Sequence, residues 1–148
     1  MMIGIDTNVF IKLFDSAESL NHIKKEGDKI FTYPKCLWEM VKYVKTLQLK
    51  DRYSEGVVMD FMKRNSIFLT QNIDEDSEKE VKAFEEKCRK AGIDCHSPDS
   101  EIILAFKKEG VKMVYSMDIN FRKAAERIGM KAGRFNSLDD DRVGFERG

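Results

Sequence analysis

The sequence predicts a single α/β domain with three layers, in which helices cover both faces of a central parallel sheet. Three observations favour this class. Short apolar runs typical of buried strands occur at 2–5, 29–33 and 111–116. Segments with helical spacing of apolar residues separate them, so strands and helices alternate along the chain. The length of 148 residues suits one domain with one core, and no linker or repeat divides it.

In the first half of the chain, an apolar strand is predicted to end at Asp6 and to lead through a polar turn into a helix. Gly27 and Asp28 mark a turn before the next strand, and Pro34 favours the start of a strongly apolar helix. The helices predicted here cover 16–27, 34–49 and a segment starting at Ser54, and a short extended piece follows at 66–70.

In the second half, an amphipathic helix is predicted over 74–90. Ser97 is expected to cap the next helix, with Pro98 at its first position and Asp99 in its first turn. A strand at 111–116 is followed by Asp118 and then by a short helix at 121–128. The remainder, 131–148, is expected to be a weak tail, because it lacks a clear apolar final strand and carries the charged run 139–141.

The composition is that of an ordinary water-soluble globular chain. A net charge of +0 neither supports nor excludes a nucleic-acid partner, because local fields matter more than the total. The N-terminus lacks the features of a signal peptide and no apolar run could span a membrane, so we expect a cytoplasmic protein with no membrane partner. The three cysteines are expected to be reduced, and Cys88, Cys95 and His96 lack the short ligand pairs of structural zinc.

Four carboxylates stand out among the 26 acidic residues because they lie beside apolar residues instead of in charged runs: Asp6, Glu39, Asp99 and Asp118. In open parallel sheets, ligands bind where the strands end, and both Asp6 and Asp118 follow a predicted strand. Converging carboxylates repel one another, and hard divalent cations bound through oxygen relieve that repulsion. The four residues are therefore candidates for a metal site.

Each of the four also has a purely structural explanation. Asp6 could cap the first helix, and Asp118 could be a turn or cap residue. Asp99 could be favoured at a helix start by the helix dipole alone. Glu39 could lie on the rim of its helix. The occurrence of all four residues in this order is stronger support for a metal site than any one of them alone.

The surroundings of these residues resemble the PIN domain family, particularly the small stand-alone VapC-like toxins of prokaryotic toxin–antitoxin pairs. The segment 3–11 is similar to the family's first motif, an apolar strand ending in Asp and followed by Thr and Asn. The helix that begins at Pro34 and carries Glu39 is similar to the second motif. The segments 97–99 and 116–121 are similar to the third and fourth, an Asp at a helix start and a hydroxyl residue followed by Asp and Phe.

The resemblance covers residues 2 to 130, nearly the whole chain. It implies a PIN-like nuclease domain at 1–135 and a charged C-terminal tail at 136–148. Two positions depart from the family pattern. Asn120 stands where many members have a further Asp, which would weaken a second metal, and Ser116 replaces the commoner Thr but keeps its hydroxyl.

The resemblance implies a metal-dependent endoribonuclease that hydrolyses RNA phosphodiester bonds with Mg²⁺ or Mn²⁺. Its catalytic metal ligands would be Asp6, Glu39, Asp99 and Asp118. The side chains holding these ligands in place would be Thr7, Asn8, Ser116 and Asn120. One cation would lower the pKa of a bound water, and a second, about 4 Å away, would stabilise the leaving oxygen.

An acidic pocket repels phosphate, so basic residues beside it are expected. The candidates follow two of the carboxylates along their helices: Lys42, Lys45, Arg122, Lys123 and Arg127. Trp38 and Tyr43 could stack on bases, although their helical spacing is more typical of core residues. The expected partners are RNA, an antitoxin protein if the chain is a toxin, and a second copy of the chain in a homodimer.

Two other functions remain open. A non-catalytic RNA-binding or interaction module on a PIN scaffold is suggested by Asn120 and by the unusual tail. A haloacid-dehalogenase-type phosphatase also begins with a strand that ends in Asp. That family expects a second Asp two positions later, where this chain has Asn8.

Overall fold

The computed structural model describes residues 1–47 and 54–135, together with the backbone of 145–147. The described strands are β1 Met2–Ile5, β2 Lys29–Thr32, β3 Ile67–Leu69, β4 Met113–Ser116, β5 Lys131–Phe135 and β6 Phe145–Arg147. The described helices are α1 Thr7–Asp15, α2 Leu20–Ile23, α3 Pro34–Thr46, α4 Ser54–Arg64, α5 Glu78–Lys90, α6 Asp99–Glu109 and α7 Ile119–Arg127. None of these helices combines the length and apolar character needed to cross a membrane.

The strands form one sheet in the order β3-β2-β1-β4-β5-β6. The first five are parallel, and β6 pairs antiparallel with β5. From β1 the chain proceeds to β2 and β3 on one side and later to β4 and β5 on the other. The direction of winding therefore changes between β1 and β4, and the crevice at their carboxyl ends is where sheets of this kind bind ligands.

Side chains of alternate strand residues enter two separate cores, one on each face of the sheet. Ile3 and Ile5 of β1 belong to the core that α1, α2, α3 and α4 cover. Val114 of β4 belongs to the core covered mainly by α5, α6 and α7. The predicted three-layer α/β/α fold with a central parallel sheet is therefore confirmed.

Gly4 lets α6 pack directly on the central strand. A Cβ atom added to Gly4 would lie 2.8 Å from Cδ2 of Phe106, a fully buried residue of α6. Real Cβ atoms essentially never come so close to another heavy atom. The absence of a side chain at this position thus sets the distance between β1 and the helix that begins with Asp99.

Several predicted boundaries need correction. The helix expected over 16–27 is a 3-10 turn at Ala17–Ser19 followed by the single turn α2. The helix expected from residue 74 begins at Glu78, after another 3-10 turn that Asp74 caps. The end of the predicted helix 34–49 and the charged run 139–141 lie outside the described residues.

The expectations for Ser97 and for the end of the chain were wrong. Pro98 takes the capping position of α6, without a side-chain hydrogen bond, while the Ser97 hydroxyl donates to Oε1 of Glu101. The segment after α7 is not only a weak tail, because β5 continues the parallel sheet beside β4. The antiparallel strand β6 lies within 136–148, and the domain boundary between residues 135 and 136 stays a prediction.

Candidate functional site

The candidate site begins at Asp6, which follows β1 directly and caps α1. Asp6 is only 9% exposed. Its Oδ1 accepts a hydrogen bond from the backbone N–H of Val9 at 3.1 Å, as a capping residue does. Its Oδ2 accepts the hydroxyl hydrogen of Ser116 at 2.6 Å. Helix capping is therefore a real role of Asp6, but it involves only one of the two carboxylate oxygens.

Asp118 reaches the same region through Ser116, the last residue of β4. The Ser116 hydroxyl accepts a hydrogen bond from the backbone N–H of Asp118 at 3.0 Å while it donates to Asp6. Asp118 also caps α7, because its Oδ1 accepts from the backbone N–H groups of Asn120 at 2.9 Å and Phe121 at 3.4 Å. One hydroxyl group thus ties the carboxyl end of β1 to that of β4.

Glu39 lies on α3 and is held by Thr7, the first residue of α1. The Thr7 hydroxyl donates to Oε1 of Glu39 over 2.8 Å. Glu39 is exposed, so water can reach it. The bond joins α3 to the start of α1, next to Asp6.

Asp99 supplies the fourth carboxylate from the start of α6, where it is half-buried. Burial raises the pKa of Asp99 most. The negative charges of Asp118 and Glu39 raise this pKa further, and His96 partly offsets the rise. Two of the other candidate carboxylates therefore act on Asp99 electrostatically.

The pKa of Asp6 is also raised. Burial raises it from 3.8 to about 6, although the hydrogen bonds from Ser116 and Val9 act in the opposite direction. The charges of Asp99 and Asp118 add to the rise. Asp6 thus interacts electrostatically with Asp99 and Asp118, whereas Glu39 acts only on Asp99. Asp6 is the one of the four that is buried.

The donor chemistry fits a hard divalent cation. Carboxylate oxygens are the ligands that Mg²⁺ and Mn²⁺ favour, and here they raise one another's pKa, which is the repulsion that a cation would relieve. Within 1–47 and 54–135, however, no three acidic, cysteine or histidine side chains lie in a ready ligand cluster. The site is thus a set of neighbouring carboxylates, not a closed ligand cage.

The four residues predicted to hold the ligands divide into two pairs. Thr7 and Ser116 donate hydrogen bonds to Glu39 and Asp6, as their predicted role requires. The side chains of Asn8 and Asn120 make no hydrogen bond to any described residue, and Asn8 is exposed. The supporting role of these two amides stays a prediction.

The predicted basic residues also differ from one another. Lys42, Lys45 and Lys123 are exposed, as phosphate contacts must be. Arg122 is only 8% exposed, and its Nη1 donates to the backbone carbonyl of Ser116 at 2.9 Å. The prediction for Arg122 is therefore corrected, because its guanidinium holds the end of β4 and leaves little surface for RNA. Arg127 lies at the far end of α7 from the site, near Cys88.

Exposed apolar side chains stand beside two of the carboxylates. Trp38 precedes Glu39 on α3 and is 51% exposed, so the expectation that it belongs to the core was wrong. Met117 and Ile119 flank Asp118 and are 45% and 53% exposed. A window of helical spacing shows which residues share a face, but it does not show whether another element covers that face.

The sequence matches no protein-family model and no curated protein sequence. The fold, in contrast, is similar to solved structures. VapBC2 from Rickettsia felis, bound to a DNA fragment from its promoter, has a TM-score of 0.59 at 13% identity and covers 89% of this chain and 98% of its own. VapBC-1 from nontypeable Haemophilus influenzae has a TM-score of 0.57 at 16% identity, with coverage of 86% and 92%.

A third similar structure is VapC20 from Mycobacterium tuberculosis, described as a sarcin–ricin loop cleaving toxin. Its TM-score is 0.56 at 17% identity, and the match covers 82% of this chain and 94% of that one. At these identities the similarity establishes the fold alone. The resemblance to VapC-like PIN proteins, predicted from the four motifs, is confirmed at that level.

Proposed function

We propose that this protein is a divalent-metal-dependent endoribonuclease that hydrolyses phosphodiester bonds in RNA. The observation that carries the proposal is the position of Asp6. Asp6 is buried where β1 ends, Ser116 holds its carboxylate, and the charges of Asp99 and Asp118 add to the rise in its pKa. A cation bound among these groups would favour the charged form of Asp6 and offset the repulsion between the carboxylates.

The roles of the residues follow from their contacts. Asp6 would be the central ligand, and the hydrogen bonds from Ser116 and Val9 support this role because they fix the orientation of its carboxylate. Asp99 and Asp118 would complete the ligand set from the starts of α6 and α7. Glu39, exposed and held by Thr7, would bind a cation or accept the proton of the attacking water. When bound, Mg²⁺ or Mn²⁺ supplies a more acidic water and neutralises charge on the phosphate.

RNA is the proposed substrate because a structurally similar protein, VapC20, is described as cleaving the sarcin–ricin loop. Exposed Lys42 and Lys45 lie on the same helix as Glu39, and Lys123 follows Asp118 on α7. These lysines would attract the phosphate backbone towards a pocket that is itself acidic. A cytoplasmic location, compatible with three free cysteines, forms part of the proposal.

A role as the toxin of a toxin–antitoxin pair is a narrower form of the proposal. Two of the structurally similar proteins are VapBC assemblies. The corresponding expectation is an antitoxin protein that binds this chain, and a homodimer of the chain itself. Co-purification of the chain with the product of a neighbouring gene would test the first, and light scattering of the purified protein would test the second.

The direct test is cleavage of a mixed RNA pool by the purified full chain in Mn²⁺ or Mg²⁺ and in EDTA. Asp6→Asn should lose cleavage. Asp60→Asn, at an exposed residue of α4 that pairs with Arg64, should keep it. Absence of cleavage under all metal conditions, with intact RNA binding, would instead favour the non-catalytic RNA-binding module.

The phosphatase alternative has a separate test. A phosphatase of the haloacid-dehalogenase type needs a general acid two positions after its nucleophile, and Asn8 cannot donate a proton as a carboxylic acid does. Hydrolysis of a small phosphate monoester such as p-nitrophenyl phosphate, lost in Asp6→Asn, would support that alternative over the ribonuclease.

A further inference from the structure

A groove lies between α3 and α4. It has a volume of about 710 Å³. Trp38, Lys42 and Lys45 line it from α3, and Glu55 and Met59 line it from α4. Its α3 wall begins next to Glu39, since Trp38 is the preceding residue on the same helix. Glu39 itself does not line the groove, so the link between the groove and the carboxylates is this one step along α3.

Trp38 is unusually exposed to solvent for a tryptophan. It is the single tryptophan of the chain, and it is 51% exposed. Large aromatic side chains contribute most to the stability of a core or an interface when they are buried. A half-exposed indole in a groove is therefore available to bind a flat, apolar ligand. Met59 is also 45% exposed on the opposite wall.

The charges in the groove favour an anion. Lys42 and Lys45 follow Trp38 by four and seven residues, which places all three on one face of α3. Both lysines are exposed, and neither forms an ion pair with any residue in the described ranges. Among the described residues that line the groove, Glu55 is the one acidic residue. Along α3, one aromatic side chain is thus followed by a lysine on each of the next two helical turns. This arrangement suits a nucleotide, whose base could stack on the aromatic ring while the phosphates contact the lysines.

We propose that Trp38 stacks on an unpaired nucleobase of the substrate RNA, while Lys42 and Lys45 contact the phosphates that flank it. This inference rests on the proposed ribonuclease function, and it specifies a single-stranded substrate. The bases of a duplex are stacked on one another, and only unpaired nucleotides present a free face to an aromatic side chain. Trp38 is then a positioning residue that selects unpaired RNA.

The experiment uses the fluorescence of Trp38, since no other tryptophan contributes to the emission. The full chain is titrated in EDTA at low salt with a short single-stranded RNA, with the duplex form of that RNA, and with a single strand of equal length and charge whose bases are removed. Saturable quenching by the single strand, absent or at least several-fold weaker with the duplex and the abasic strand, is the expected result. Equal quenching by the abasic strand would overturn the proposal.

Two variants extend the test to binding and turnover. Trp38→Leu should weaken binding of labelled single-stranded RNA about tenfold and raise KM more than it lowers kcat, whereas Trp38→Phe should keep most of the affinity. Phe68→Leu is the matched control, because Phe68 is also an exposed aromatic, at 44%, but lies on the outermost strand β3. Unchanged binding by Trp38→Leu would overturn the proposal.

The results separate this inference from the proposed function. Base-dependent quenching by a protein that cleaves nothing in Mn²⁺ would contradict the ribonuclease and still support the stacking groove. Normal cleavage with no effect of Trp38→Leu would contradict the groove alone. If Trp38 responds to a synthetic acidic amphipathic peptide of alternating Glu and Leu but not to RNA, the face binds a protein instead, and the inference fails.

Discussion

The hydroxyl of Ser116 donates to Oδ2 of Asp6 over 2.6 Å, and the two residues are separated by 110 positions in the chain. Both stand at the carboxyl ends of neighbouring strands, where Ile5 of β1 pairs with Tyr115 of β4. The same hydroxyl accepts the backbone N–H of Asp118. Two of the proposed metal ligands are thus oriented by one side chain that is itself fully buried.

Ser116→Ala should therefore lower metal affinity and activity together. Loss of the hydroxyl removes a bond that lowers the pKa of Asp6 and leaves the carboxylate free to rotate. Residues that orient metal ligands typically account for about 10- to 100-fold in affinity or activity, and we expect a loss in that range. Calorimetric Mn²⁺ titration and RNA cleavage are the measurements. Ser116→Thr, which keeps the hydroxyl, should stay near wild type, and a Thr variant as weak as Ala would argue against this role.

The raised pKa of Asp6 predicts how stability depends on pH in the metal-free protein. Because the folded pKa is about 6 and the unfolded value is 3.8, the folded state retains a proton that the unfolded state has lost. The contribution of Asp6 to the free energy of unfolding is therefore fully present below the unfolded pKa of 3.8. It falls as the pH rises and is lost above the folded pKa of about 6. The difference between the two pKa values corresponds to about 3 kcal/mol.

Asp6→Asn tests that dependence, because Asn is neutral at every pH. In EDTA near pH 7.5, the variant should be more stable than wild type by up to about 3 kcal/mol, and the gain should disappear near pH 4. Urea unfolding at the two pH values measures it. A variant that is destabilised equally at both would show that the capping bond to Val9 matters more than the buried charge.

Thr7 should affect catalysis more than stability. Its hydrogen bond to Glu39 is exposed, so its removal in Thr7→Val should change the free energy of unfolding by less than about 1 kcal/mol. Activity should fall about tenfold if Glu39 must be held in place. Thr7→Ser keeps the donor and serves as the control. Equal cleavage rates for wild type, Thr7→Val and Thr7→Ser would show that Thr7 has no role in cleavage.

Gly4→Ala should destabilise the fold by over-packing. The new Cβ would meet the ring of Phe106 at 2.8 Å, and extra atoms in a close-packed core typically cost about 1–3 kcal/mol. Thermal unfolding is the measurement. Reducing the ring in the double variant Gly4→Ala/Phe106→Leu should make the combined loss smaller than the sum of the two single losses. Strict additivity would mean that the two positions do not compete for the same space.

Much of the fold could be predicted from the sequence, and the four carboxylates could be singled out as candidates, because both kinds of signal are local. Asp6 ends an apolar run and caps a helix, Pro34 starts α3, and Gly110 ends α6 with a φ of 94°. Strand β5 was missed because Lys131 and Arg134 face outward and only a few apolar side chains face inward. That strand depends on pairing with β4, which a local pattern does not reveal.

The residues around the carboxylates were harder to predict because their roles depend on distant parts of the chain. Arginine is a residue type usually found at the surface, but the backbone carbonyl of Ser116 gives the guanidinium of Arg122 a buried partner. Trp38 has the spacing of a core residue, but the groove between α3 and α4 leaves it in water. In both cases burial is decided by tertiary neighbours and not by periodicity.

Binding of Mn²⁺ tests most directly whether the carboxylates form a metal site. The full chain, freed of metal and titrated near pH 7.5 with Mn²⁺ followed by electron paramagnetic resonance, should bind at least one ion. Asp6→Asn should lose that ion, while the surface control Asp60→Asn should bind as wild type does. Equal Mn²⁺ binding by Asp6→Asn and wild type would contradict the account, because the ion would then lie elsewhere and the buried charge of Asp6 would have no cation to balance it.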